Sequence, residues 1–164
     1  MQFTRAIRLV ATLALTSALA PGAGRSAVPI EGAWLTEDGG GVIDIEPCGS
    51  QYCGRIVGLA AAASGKPLPK DVNGNSRCGL QIVRGLAEND PGEWSGKIIN
   101  PEDGQTYSAR LTVDDRGRLH LRGYVLVPLL GQTQIWTRYG GRVTAGCRMV
   151  PSDRPDKLAQ SSRG

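Results

Sequence analysis

What most constrains this chain is its punctuation. Beyond residue 30, short runs rich in Val, Ile, Thr and aromatics alternate apolar and polar side chains, and clusters of Gly, Asp, Asn and Pro interrupt them at fairly regular spacing. Alternation with period two marks a half-buried strand, and no segment after the leader carries a convincing helical period. The pattern predicts eight strands, at 32–36, 42–46, 53–59, 80–86, 93–100, 106–113, 118–125 and 132–139. The turns between them are chemically explicit: Glu37-Asp38-Gly39-Gly40-Gly41, Asn89-Asp90-Pro91-Gly92, Pro101-Glu102-Asp103-Gly104 and Asp114-Asp115-Arg116-Gly117. Asp and Asn hydrogen-bond their own backbone, Pro presets φ, and Gly accepts a positive φ.

Short connections of this kind join antiparallel neighbours, and a meander of eight strands can close on itself. The expected fold class is therefore all-β: a single eight-stranded antiparallel up-and-down barrel, with an open sandwich as the alternative. In 106–113 the apolar set Tyr107, Ala109, Leu111 and Val113 shares a face, and in 118–125 Leu119, Leu121, Gly123 and Val125 do the same. These sets should point inward. Gly85, Gly96 and Gly123 sit inside strands, where glycine marks bends or bulges. Residues 60–77 break the rhythm, as either a lid over a barrel mouth or a plain insertion.

The ends of the chain read differently. Arg5 and Arg8 precede the apolar run 9–20, and small residues follow it: the layout of a secretory signal peptide over residues 1–27, too short to span a bilayer. The barrel is expected over 28–140 and a disordered basic tail over 141–164. From Val28 to Tyr139 thirteen acidic side chains face eleven basic ones, a net −2, so the +4 of the whole chain belongs to its ends. That stretch lacks the basic footprint of a nucleic-acid binder. Export to the periplasm or outside the cell makes the four cysteines disulfide candidates rather than metal ligands.

Gly32-Ala33-Trp34 opens the first strand and Trp136-Thr137-Arg138 closes the last. This resembles calycin-type barrels, lipocalins among them, in which a Gly-x-Trp at the start meets a basic residue near the end. First and last strands are neighbours in a closed barrel, so Arg138 can lie across the Trp34 ring, and Gly32 permits close backbone approach. The assigned roles of Gly32, Trp34, Trp136 and Arg138 are structural. More widely, the segments 29–39, Pro47-Cys48-Gly49 with 53–57, Cys78-Gly79-Leu80, 103–107, 121–124 and 129–138 resemble the bacterial exported family built on the domain of unknown function 2147. That resemblance covers about 29–139 and implies a lipocalin-like barrel in the envelope or secreted space, without implying an activity. Family members often carry Cys where this chain has Ala109, which excludes pairing of Cys78 with that position.

Four residues separate Cys48 from Cys53, which places both across a hairpin mouth within disulfide reach. Cys78 can pair with Cys147 only if the tail folds back. Three cysteines with His120 lack a Cys-x-x-Cys knuckle, so no metal site is expected; Asp71-Val72-Asn73-Gly74-Asn75 resembles the start of a calcium loop but lacks its closing acid. No cofactor motif and no catalytic constellation occurs: His120, the single His, stands on a polar strand face. The expectation is a non-enzymatic, exported barrel that binds a small apolar or amphipathic ligand, with Asp71, Asn73 and Arg77 as polar anchors at the mouth. The alternative is an envelope module for a protein or glycan partner, with a filled barrel and a surface patch of Tyr52, Trp94 and Tyr124. An enzyme would require polar groups converging inside, which depends on whether Gln134, Trp136 and Arg138 point inward.

Overall fold

The computed structural model describes residues 29–152. Eight strands make the body: β1 (Gly32–Leu35), β2 (Gly41–Cys48), β3 (Gln51–Leu59), β4 (Gln81–Asp90), β5 (Glu93–Ile99), β6 (Thr106–Val113), β7 (Leu119–Tyr124) and β8 (Gln132–Arg138). Each pairs antiparallel with the next, and β8 returns to β1 through Trp34 opposite Arg138 and Leu35 opposite Thr137. The sheet is thus a closed eight-stranded antiparallel barrel, not a sandwich. Alternation sets which side chains enter it: Ala109 and Leu111 on β6, and Leu119 and Leu121 on β7, are buried as their spacing predicts. In β4, Gly85 takes φ +63° where the pairing with β5 shifts register, so the bulge curls the strand.

In an up-and-down meander the connections alternate between two ends. At one end lie residues 29–31, which lead into β1, and the β2–β3, β4–β5 and β6–β7 turns. Here the barrel is solid, packed by Ile30, Trp34, Ile45, Leu86, Trp94, Leu111 and Leu119, all buried. Each such side chain contributes about 1.5–3 kcal/mol on removal from water. Trp34 closes this end: its indole N–H donates to the Ile30 carbonyl at 2.8 Å, and the Arg138 guanidinium lies 3.7 Å from its ring centroid. Arg138 also donates to the carbonyls of Pro29 and Glu31. Gly32 has φ +110°, and a Cβ there would come within 2.8 Å of Arg138 Nη1, so the glycine makes the guanidinium seat possible.

The structure corrects the expected tail. Residues 142–144 and 148–150 form β9 (Arg142–Thr144) and β10 (Arg148–Val150), an antiparallel pair docked on β3 through Arg148 beside Leu59. Composition argued for disorder, but a covalent tie overrides it: Cys147 is buried and bonded to Cys78. The second disulfide joins Cys48 to Cys53 across the β2–β3 hairpin, as their spacing predicts. The leader and the last residues of the tail lie outside the described residues. Among the described residues no helix is long and apolar enough to cross a membrane.

Candidate ligand-binding cavity

The opposite end is hollow. Connections β1–β2, β3–β4, β5–β6 and β7–β8 surround a cavity of ≈ 920 Å³, within the range of small-molecule sites, roughly 300–1,000 Å³. Inward-pointing positions supply its wall: Ile43 from β2, Ile56 from β3, Ile82 from β4, Ile98 from β5, Leu121 from β7 and Trp136 from β8. Branched aliphatics belong here because they are favoured in strands and have no polar atom to satisfy.

Polar groups enter from one side and from the rim. On β8, Gln132, Gln134 and Trp136 share the inner face and line the cavity, and the Trp136 indole N–H donates to Gln134 Oε1 at 2.9 Å. Arg138, two residues on, has reached the closed end and covers Trp34 instead. Among the described residues the Gln134 amide nitrogen has no partner and keeps its donors for a guest, and Gln132 offers a second amide. Tyr107 lines the wall from β6, two strands from β8, its hydroxyl 3.2 Å from Gln105 Oε1. On the rim, Asp38 is held below the ordinary carboxylate value by the Thr36 hydroxyl and the Gly40 N–H, both of which donate to it. Its charge is thereby committed to the β1–β2 turn.

The three anchors expected from sequence are separated. Arg77 lines the cavity, but its side chain is a strut: Nε donates to the Lys70 carbonyl at 2.8 Å, and Nη1 meets Glu102 at 3.3 Å. That ion pair ties the β3–β4 connection to the β5–β6 turn. Asp71 and Asn73 are not among the lining residues. The Asp71 carboxylate accepts the N–H groups of Asn73 and Asn75 and so closes its own turn. Residues 60–77 are not loose either. They hold a one-turn helix, α1 (Ala60–Ala63), a bridge between Lys70 and Ser76, and Leu68 packed on the core.

The alternative surface patch dissolves as well. Trp94 is 4% exposed and belongs to the core, because its parity on β5 turns it inward; Tyr52 and Tyr124 are half-buried. Tyr107 faces inward as its place in the apolar set of 106–113 predicts, whereas Gln132 was missed as a lining group, although it occupies an inward parity position once the strands are drawn. Sequence reasoning also missed the β7–β8 connection, where Val125, Leu126, Val127, Leu129 and Leu130 stand exposed at the rim. The signal was present as an apolar run without alternation.

Comparison with known proteins agrees with this architecture. The structure is similar to that of protein HP1028 from the human pathogen Helicobacter pylori, described as belonging to the lipocalin family. The TM-score is 0.59 at 19% identity, covering 68% of this chain and 83% of that one. A search of the curated proteins finds no match. The sequence matches, over residues 32–138, the family described as uncharacterized protein conserved in bacteria (DUF2147). That match takes in β1 to β8, the whole barrel, and the chain accordingly belongs to the DUF2147 family.

Proposed function

We propose that this protein binds a small apolar or amphipathic molecule in the open half of its barrel, in an oxidising compartment outside the cytoplasm. The observation that carries the reading is the asymmetry of the interior. One end is packed solid and the other leaves ≈ 920 Å³ walled by Ile43, Ile56, Ile82, Ile98, Leu121 and Trp136. Removal of apolar surface from water drives a guest into such a space, and the amides of Gln132 and Gln134 orient a polar group on it. The two disulfides support an exported protein. The reading is binding rather than catalysis, since the wall is mainly aliphatic and, of the charged side chains that line the cavity, Asp38 is held by Thr36 and Gly40 and Arg77 is paired with Glu102.

Gly123 provides the test. It lines the cavity at an ordinary φ, and a Cβ there would meet only Ile98, at 3.9 Å. Gly123→Leu should fill the cavity from the wall without disturbing the barrel. With 1-anilinonaphthalene-8-sulfonate as probe, the wild-type chain should bind saturably with one site, and Gly123→Leu should lose that site while keeping its Tm. Equal binding by both proteins would place the probe elsewhere and reject the cavity as the site.

A further inference from the structure

We propose that the β7–β8 loop docks the barrel mouth onto a lipid bilayer surface, its aliphatic side chains entering the headgroup and acyl boundary. The proposal goes beyond the cavity reading and does not depend on it. Leu126 is 88% exposed, Leu129 85% and Leu130 74%, with Val125 and Val127 beside them. A soluble domain scatters its exposed apolar residues, whereas these are contiguous in sequence and at one end of the molecule. No charged side chain occurs between Arg122 and Arg138.

The loop is held in this presentation. Leu126 adopts φ +67°, an unfavourable conformation for a residue with a side chain, and the reward is not burial, since it faces outward. Arg122, from β7, reaches under the loop: Nε donates to the Pro128 carbonyl at 2.6 Å, Nη2 to the Leu129 carbonyl at 3.2 Å, and Nη1 to the Thr133 hydroxyl at 2.8 Å. Backbone N–H groups of Val127, Leu130 and Gly131 are given to the carbonyls of Val125, Val127 and Pro128. The carbonyls of Val125, Val127, Pro128 and Leu129 are therefore satisfied within the protein. Satisfying these carbonyls lowers the cost of approaching the acyl boundary, because hydrocarbon offers no partner to a free peptide group.

Lipid is favoured over a protein partner on area and chemistry. The exposed apolar side chains span only residues 125–130, far short of the roughly 20–30 residues a side of a stable protein interface. The tip holds only Val, Leu and Pro, whereas protein hot spots draw on Trp, Tyr and Arg to fill matching pockets. A bilayer needs no shape match and rewards apolar area as such. Leu130 and Tyr124 also line the cavity, so a docked loop would set the open mouth against the membrane.

The test uses the full chain carrying Leu129→Trp, with vesicles of dioleoylphosphatidylcholine. Trp34, Trp94 and Trp136 are buried, so the difference between the variant's emission and that of the wild-type chain under the same conditions reports on the introduced indole in the loop. Its emission should shift to the blue with vesicles and be quenched by brominated-chain phosphatidylcholine. The effect should be equal at about 0.1 M and about 1 M salt, between which charge screening tightens from roughly 10 Å to roughly 3 Å. Adding Leu126→Ser should weaken the partition about tenfold through the lost apolar area, with near-ultraviolet circular dichroism unchanged. Absence of quenching would overturn the proposal. So would quenching abolished by salt, which would mean electrostatic adsorption, or a blue shift that needs only higher protein concentration, which would mean pairing between copies.

Discussion

At the scale of single residues, Asp114 shows how one side chain secures a turn and makes it sensitive to acid. Its carboxylate lies 3.0 Å from His120 Nε2, accepts the backbone N–H groups of Arg118 and Arg116, and receives the Arg118 guanidinium at 2.8 Å. Those contacts, that with His120 foremost, hold the carboxyl well below its ordinary value of 3.8. A depressed carboxyl stabilises the fold in full above the unfolded value and loses that contribution as pH falls toward the folded one. Stability should therefore decline below about pH 4 partly through this group. Asp114→Asn should be less stable at neutral pH and show a shallower decline on acidification, measured as urea midpoints across the range. At the closed end, Gly32→Ala meets both a positive φ and Arg138 Nη1. It should cost at least about 1 kcal/mol in chemical denaturation, and Arg138→Met about 1–2 kcal/mol through the lost ring contact and carbonyl partners.

At the scale of elements, the appended strands depend on a covalent tie. Cys78 and Cys147 are 69 residues apart, so their bond removes much freedom from the unfolded chain, worth about 4 kcal/mol on the chain-entropy account. The Cys48–Cys53 bridge closes a separation of only 5, worth about 2 kcal/mol. The double variant Cys78→Ser/Cys147→Ser should thus lose more stability than Cys48→Ser/Cys53→Ser. Amides of β9 and β10 should exchange with solvent rapidly in the first variant alone, while those of β5 to β7 stay protected. Proton exchange read by mass spectrometry distinguishes the outcomes. Hairpins were legible because their instructions are local: Asp114 with Gly117, or Pro101 with Gly104, fold the chain back whatever surrounds them. The tail was not legible, because β9 and β10 are held by partners about 70 residues or more away in sequence.

At the scale of the whole molecule, one barrel is divided into a packed half and a hollow half, and mutational cost should follow that division. Leu111→Ala, among the packed side chains, should cost about 3 kcal/mol, since its neighbours cannot collapse into the space. Ile98→Ala, on the cavity wall, should cost about 1–2 kcal/mol, because its side chain already borders an opening and forfeits fewer contacts. Similar costs at both positions would mean that the hollow half is filled in solution. The anchors Asp71 and Asn73 were misplaced for a reason belonging to this scale. A polar turn and a polar ligand site use the same residue types, and only the course of the β3–β4 connection tells them apart.

The sequence by itself determined the eight barrel strands, the hairpin turns, most inward and outward faces (Val125, expected inward, stands exposed), the Cys48–Cys53 bridge and the meeting of Trp34 with Arg138. Each of these follows from period-two spacing or from chemistry within a few residues, apart from the last, which closure of the sheet requires. Tertiary structure alone decided that the interior is solid at one end and open at the other, that Gln132 and Gln134 face the cavity, and that Arg77 is a strut. It also decided that residues 142–150 are ordered. These depend on which inward side chains meet across the barrel and on how far they reach, and neither spacing nor composition encodes the distance between strands that the chain itself keeps far apart.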